Sequence, residues 1–136
     1  MNYLGIDYGL NKIGLALADN EVKIAMPREV IFEENPGKQI AEILNVIKNE
    51  EIGTVVIGLP TSRSGKESAQ TAKVRQFVAD LRVKLPKNVT LAVEDERLST
   101  KMSRKLLTDI KNAEDDSVAA ACILQTWLDK SSAASR

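Results

Sequence analysis

The chain has 136 residues, 43% of them apolar, which suits one compact domain and is too short for two. It contains no His and a single Cys, Cys122. That excludes His-based nucleophilic or general-base catalysis, His-ligated metal sites, an internal disulfide and a Cys-built zinc cluster.

Read from the amino terminus, Asn2–Tyr8 is an apolar run rich in β formers. Gly9-Leu10-Asn11-Lys12 reads as a turn and Ile13–Ala18 as a second strand, so the pair predicts a hairpin. A third strand is expected within Val22–Phe32, interrupted near Pro27. Ile40, Ile43, Leu44 and Ile47 fall at i, i+3, i+4 and i+7, which predicts an amphipathic helix over residues 37–50. Thr54–Leu59 is a short continuous apolar run, the pattern of a strand covered on both faces. Val74, Phe77, Val78 and Leu81 predict a helix over about residues 67–84, and Val89–Asp95 reads as a further strand. Met102, Leu106, Leu107 and Ile110 predict another helix, with Ser99 or Thr100 placed to cap it. Residues 116–129 predict a last helix, whose face of Ala119, Ala120, Ile123, Leu124 and Trp127 is apolar enough to be buried. The tail 131–136 is small and polar and is expected to fray.

A hairpin feeding β-α-β crossovers implies an α/β fold in a single domain, one mixed five-stranded sheet with helices on both faces. Functional residues are then expected at the carboxyl ends of the parallel strands. No apolar run approaches the length that spans a bilayer. The start MNYLGID lacks a basic segment followed by an apolar one, so no signal peptide and a cytoplasmic location are expected.

Lys plus Arg and Asp plus Glu both number 19, but they are unevenly spread. Residues 1–60 hold 5 basic and 9 acidic side chains, residues 61–105 hold 11 and 5, and residues 106–136 hold 3 and 5. The basic middle suits a polyanionic partner, or simply reflects solvated helix surfaces. Aromatic residues make up only 4%, so contact with a nucleic acid is expected to be mainly with its backbone.

Three acidic features carry the candidate chemistry. Asp7, in Gly5-Ile6-Asp7-Tyr8-Gly9, ends an apolar strand, where a carboxylate is costly unless paired or bound to a cation. Taken alone, it also fits the start of a tight turn. Glu94-Asp95-Glu96-Arg97 ends another strand. Alternation puts Asp95 on one face, and Glu94 and Glu96 on the other until the strand bends. Glu114-Asp115-Asp116-Ser117 opens the last helix, with Asp115, Asp116 or Ser117 available as its cap. Carboxylates converging from all three places repel one another unless a cation intervenes. Mg²⁺ or Mn²⁺ is the natural choice, since no soft ligand is on offer. A divalent pair held by carboxylates is machinery for phosphodiester hydrolysis that works without His. The loop Gly58–Lys66 adds hydroxyls, Arg63 and Lys66 ahead of a helix start, a phosphate-friendly surface that lacks the P-loop spacing. Lys101, Arg104 and Lys105 share one helix face and could follow a nucleic-acid backbone.

Four motifs in order, GIDYGLNKIGLA (5–16), VVIGLP with Gly65 following (55–60), EDERLST (94–100) and DSVAAACILQTWL (116–128), resemble the YqgF or RuvX-like family. These are nucleases of precursor 16S ribosomal RNA, also described as Holliday-junction resolvases. The resemblance runs from about residue 3 to about residue 129. It implies an RNase H-like fold over residues 1–130 and a nuclease dependent on Mg²⁺ or Mn²⁺. The implied catalytic acids are Asp7, Glu96 and Asp116, with Asp95 a further candidate metal ligand and Glu96 favoured over it. Lys12, Arg63, Lys66, Arg97, Ser99 and Thr100 would meet substrate phosphates. The expected partner is nucleic acid, RNA before branched DNA, bound by a monomer or a homodimer. Two departures stand out: relatives carry more basic residues before the last acid than Asn112-Ala113-Glu114-Asp115, and a longer connection between the last two helices.

Two other readings stay open. Gly5-x-Asp7-x-Gly9-x4-Gly14 also resembles the first phosphate motif of actin-like and sugar-kinase ATPases, which need two domains around the nucleotide. The same fold could also serve as a non-catalytic module docking on RNA or on the ribosomal or transcription machinery.

Overall fold

In the computed structural model the described residues are 1–9, 11–59, 69–95 and 115–134. They form β1 (Asn2–Tyr8), β2 (Lys12–Ala18), β3 (Ala25–Phe32), α1 (Pro36–Asn49), β4 (Ile52–Leu59), α2 (Ala69–Lys84), β5 (Thr90–Asp95) and α3 (Asp115–Ala134). The helix expected around 102–110 lies outside the described residues. The sheet has five strands in the order β3-β2-β1-β4-β5. β1–β2 and β2–β3 are antiparallel, while β1–β4 and β4–β5 are parallel. The sheet is therefore mixed, with helices on both faces, as the alternation of patterns predicts.

The strands alternate their side chains between two cores. Leu4 and Ile6 of β1, Ile13 and Leu15 of β2, and Val55 and Ile57 of β4 pack with Ile40, Ile43 and Ile47 of α1 and with Val74, Phe77 and Leu81 of α2. On the other face Ala16, Ala18, Ala25 and Val56 pack against Ala120, Ala121, Ile123, Leu124 and Leu128 of α3. β4 lies between helical layers, so Val55, Val56 and Ile57 are all fully buried and its sequence runs apolar without alternation. α1 starts where the sequence allows it. Pro36 occupies the first turn, and the Asn35 side chain accepts from the Lys38 amide at 3.1 Å.

Two expectations are corrected. β3 is not interrupted near Pro27; it is continuous, and Pro27 pairs with Ala16. β3 is an edge strand, where a residue without an N–H is tolerated, and the ladder absorbs a register shift between Gly14 and Ala16. The last helix does not end at 129. It runs through Ala134. Ser131-Ser132-Ala133-Ala134 contains neither Gly nor Pro to stop it. Among the described residues, no helix is long and apolar enough to cross a membrane.

Candidate metal and nucleic-acid site

β1 places Asp7. Its even positions, Leu4 and Ile6, face α1 and α2. Its odd positions face α3: Tyr3 meets Trp127, with ring centroids 6.0 Å apart, and α3 lies directly over Gly5. Asp7 continues the odd series, so the carboxylate stands on the α3 face at the carboxyl end of β1, partly buried. Across the ladder on β2 its partner is Gly14. On β4 the ladder pairs Ile6 with Ile57, and the next position is Gly58. Asp7 is therefore flanked on both neighbouring strands by residues with no side chain, which leaves room beside the carboxylate. The turn after it is tight. A Cβ on Gly9 would fall 2.6 Å from the Lys12 carbonyl oxygen, which accounts for glycine there.

α3 places the second acid. Trp127, Leu124 and Ala120 follow β1 from Tyr3 to Gly5, in the direction of Asp7. One further turn back along the helix is its start, Asp115 and Asp116. The backbone thus brings Asp116 towards the strand end that carries Asp7. Ala120 makes this approach close, because the space between helix and strand would not admit a methyl group on Gly5, 2.7 Å from both the Ala120 carbonyl oxygen and Leu124 Cβ.

β5 delivers the third group. In the β4–β5 ladder Gly58 pairs with Glu94 and Leu59 with Asp95, so the acidic run begins level with the Asp7 end of β1. Glu94 is 5% exposed, and its Oε1 accepts from Lys130 Nζ of α3. It therefore faces α3, as Asp7 does. In the sequence Glu94 is one of three adjacent acids; its burial and its lysine partner emerge only in the fold. The signal was the strand period, which makes a carboxylate on a helix-covered face a group in need of a cation.

The remaining expected site residues divide simply. Lys12 opens β2, exposed and paired in the ladder with Phe32. Glu96, Arg97, Ser99, Thr100, Arg63 and Lys66 lie outside the described residues. Among the described residues no three acidic, His or Cys groups cluster to hold a metal. Tyr8 turns to the opposite face, stacked on Phe77 of α2 with centroids 4.4 Å apart. Burial, and then the negative charge of Asp80, push its phenol above the ordinary value of 10.0. Trp127 packs on the small-residue core, as its place on the apolar face of the last helix predicts, and Cys122 of the same helix is buried in the packing of α3.

The family described as RuvX, Holliday junction resolvase, matches residues 1–130. Among curated relatives, a Rickettsia africae protein named "Putative pre-16S rRNA nuclease" is 39% identical over 132 residues, covering 93% of this chain and 84% of that one. One of the same name from Maridesulfovibrio salexigens is 38% identical over 136 residues, covering 94% and 98%. Among solved structures, RuvC of T. thermophilus in complex with a Holliday junction substrate superposes with a TM-score of 0.72 at 16% identity, covering 97% of this chain and 96% of that one. The fowlpox virus resolvase bound to Holliday junction DNA gives 0.55 at 11% identity, covering 96% and 98%. These likenesses establish a fold shared with resolvases of the RuvC type. With the family match running from end to end of that fold, and two relatives close to two-fifths identical, the chain belongs to the RuvX family.

Proposed function

We propose that this protein is a nuclease that hydrolyses phosphodiester bonds in structured nucleic acid, with precursor 16S ribosomal RNA as its substrate. The observation that carries the reading is the placement of Asp7. It stands at the end of β1, on the face that α3 covers, between Gly14 and Gly58, and the acidic start of α3 is directed to the same end. The names of the relatives supply the substrate class.

The donor set fits Mg²⁺ or Mn²⁺. Asp7, Glu96 and Asp116 offer hard carboxylate oxygens and nothing softer, with Asp95 as an alternative ligand. When bound, the cation makes water a competent nucleophile at neutral pH and stabilises charge on the departing oxygen. Asp7 would hold it from the sheet, Asp116 from the first turn of α3, and Glu96, next in sequence after β5, would complete the set. Lys12, Arg63, Lys66, Arg97, Ser99 and Thr100 would bind and orient the phosphates, and Arg97 or Lys12 would fix the one that is cut. A nuclease trimming precursor RNA can act as a monomer in the cytoplasm, whereas cutting a four-way junction symmetrically requires a homodimer.

A second reading, cleavage of branched DNA, is favoured by the family's description and by the fold shared with junction resolvases. One experiment separates the two. The protein is incubated with Mn²⁺ and either a labelled precursor 16S fragment or a labelled four-way DNA junction, with Asp7→Asn as control. The expected result is cleavage of the RNA, reduced about a hundredfold or more in Asp7→Asn, as losing several kcal/mol of transition-state stabilisation requires. Cleavage of the junction alone moves the assignment to a resolvase. RNA binding with no cleavage of either substrate would replace the enzyme with a docking module.

A further inference from the structure

Glu94 is the most deeply buried acidic side chain among the described residues, and it lies next to the acidic run on which the metal site depends. It pairs in the ladder with Gly58, which gives it no lateral contact, and it faces α3. An ionised carboxylate in that setting requires a cation. Lys130 is half in solvent, and its ammonium reaches inward to bond Glu94. The two residues are 36 apart in sequence.

The pair joins parts of the molecule that otherwise touch little. α3 packs chiefly on β2, β1 and β3 and only lightly on β5, at the edge of the sheet. The small-residue packing that seats α3 on the centre of the sheet reaches β5 at Ala92, two residues before Glu94. Beyond Ala92, it is the Glu94–Lys130 pair that ties the outer end of β5 to the helix. That end leads directly into Asp95 and Glu96.

We propose that Lys130 is a positioning residue: through Glu94 it holds the carboxyl end of β5 against α3, and so sets where the carboxylate that follows stands relative to Asp7 and Asp116. The proposal rests on the metal-site reading above. It also accounts for the use of an ion pair where an apolar pair would pack at least as stably. A lysine on a carboxylate constrains direction, and an apolar contact does not.

The test uses the full chain with Lys130→Met, Lys130→Arg, the double variant Glu94→Leu/Lys130→Met, and Asp7→Asn. Each is assayed for thermal unfolding and for Mn²⁺ affinity by calorimetry. Lys130→Met strands a buried carboxylate, so it is expected to lose stability and to bind Mn²⁺ about ten- to a hundredfold more weakly, the range found when groups that orient metal ligands are removed. The double variant removes the stranded charge. It is expected to regain the wild-type unfolding midpoint while Mn²⁺ affinity stays about tenfold low, and Lys130→Arg is expected to restore both. The double variant remains informative if Lys130→Met alone fails to fold. Wild-type Mn²⁺ affinity in the double variant would overturn the positioning role and leave the metal site standing. Equally absent Mn²⁺ binding in wild type and Asp7→Asn would overturn the metal site, and the inference with it.

Discussion

The two faces of the sheet are built from different materials. Towards α1 and α2 the strands present Leu4, Ile6, Ile13, Leu15, Val55 and Ile57, large branched side chains that meet isoleucines, a valine and a phenylalanine. Towards α3 they present Gly5, Ala16, Ala18, Ala25 and Val56, with Tyr3 at one end, and the helix brings Ala120 and Ala121 against them beside Ile123, Leu124 and Leu128. The first face buries far more apolar surface for each side chain and so supplies most of the hydrophobic stabilisation. The second gives up side-chain volume to bring a helix backbone close to the strands. Close approach matters there because α3 carries its acids at its start, and β1 carries Asp7 on that same face. One face stabilises, and the other positions.

The largest stability effect is expected on the first face. Ile43 is fully buried at the centre of α1, away from Asp7. Ile43→Ala should cost about 2–5 kcal/mol, because the cavity cannot close completely among branched neighbours. Chemical denaturation measures the loss, and the folded fraction should keep its wild-type Mn²⁺ affinity. A weakened Mn²⁺ affinity in this variant would break the division between the faces.

The second face should respond in the opposite sense. In Gly5→Ala the new methyl would lie 2.7 Å from the Ala120 carbonyl oxygen and from Leu124 Cβ. The first of these is main chain, so the helix itself must move. Overpacking of this kind costs about 1–3 kcal/mol, less than the cavity at Ile43. The damage to Mn²⁺ affinity and cleavage should nevertheless be greater, because the displaced element is the one bearing Asp116. Parallel denaturation and calorimetry on the two variants would show whether stability and metal binding rank them in reverse order.

The division was partly legible in the sequence. The run Asn2–Tyr8 marks β1 residue for residue, and the small residues around 119–124 mark a helix meant to be buried. Asp7, Asp116 and the acidic run 94–96 are visible as acids at expected element ends, because a strand's period and a helix's start are local properties. Pro27 misleads because its effect depends on whether its strand has a neighbour on both sides, which topology decides. The bond from Lys130 to Glu94 is the harder case. Strand alternation shows that Glu94 needs a cation, yet several lysines and arginines are available. Only the crossing of α3 over the sheet selects one 36 residues away.

The smallest expected effect refines the comparison at the one residue next to Asp7 that turns to the stabilising face. Tyr8 stacks on Phe77, and burial together with the charge of Asp80 raises its phenol above 10.0. Gln76 holds Asp80 in place, its Nε2 donating to Oδ1 at 2.9 Å. As pH climbs past the ordinary tyrosine value, the unfolded chain gives up the Tyr8 proton before the folded chain does. The folded state then holds the extra proton, so stability falls as pH rises. The contribution is fully present below pH 10 and is lost as pH rises through the folded value. Tyr8→Phe keeps the ring on Phe77 and has no proton to lose, so its stability should decline less steeply on the alkaline side. Asp80→Asn should flatten the same slope in part, by removing the second cause and leaving burial. Denaturation curves collected across the alkaline range give these slopes directly. If Tyr8→Phe instead altered Mn²⁺ affinity at neutral pH, the boundary between the faces would have to be drawn on the other side of Tyr8, placing it with Asp7.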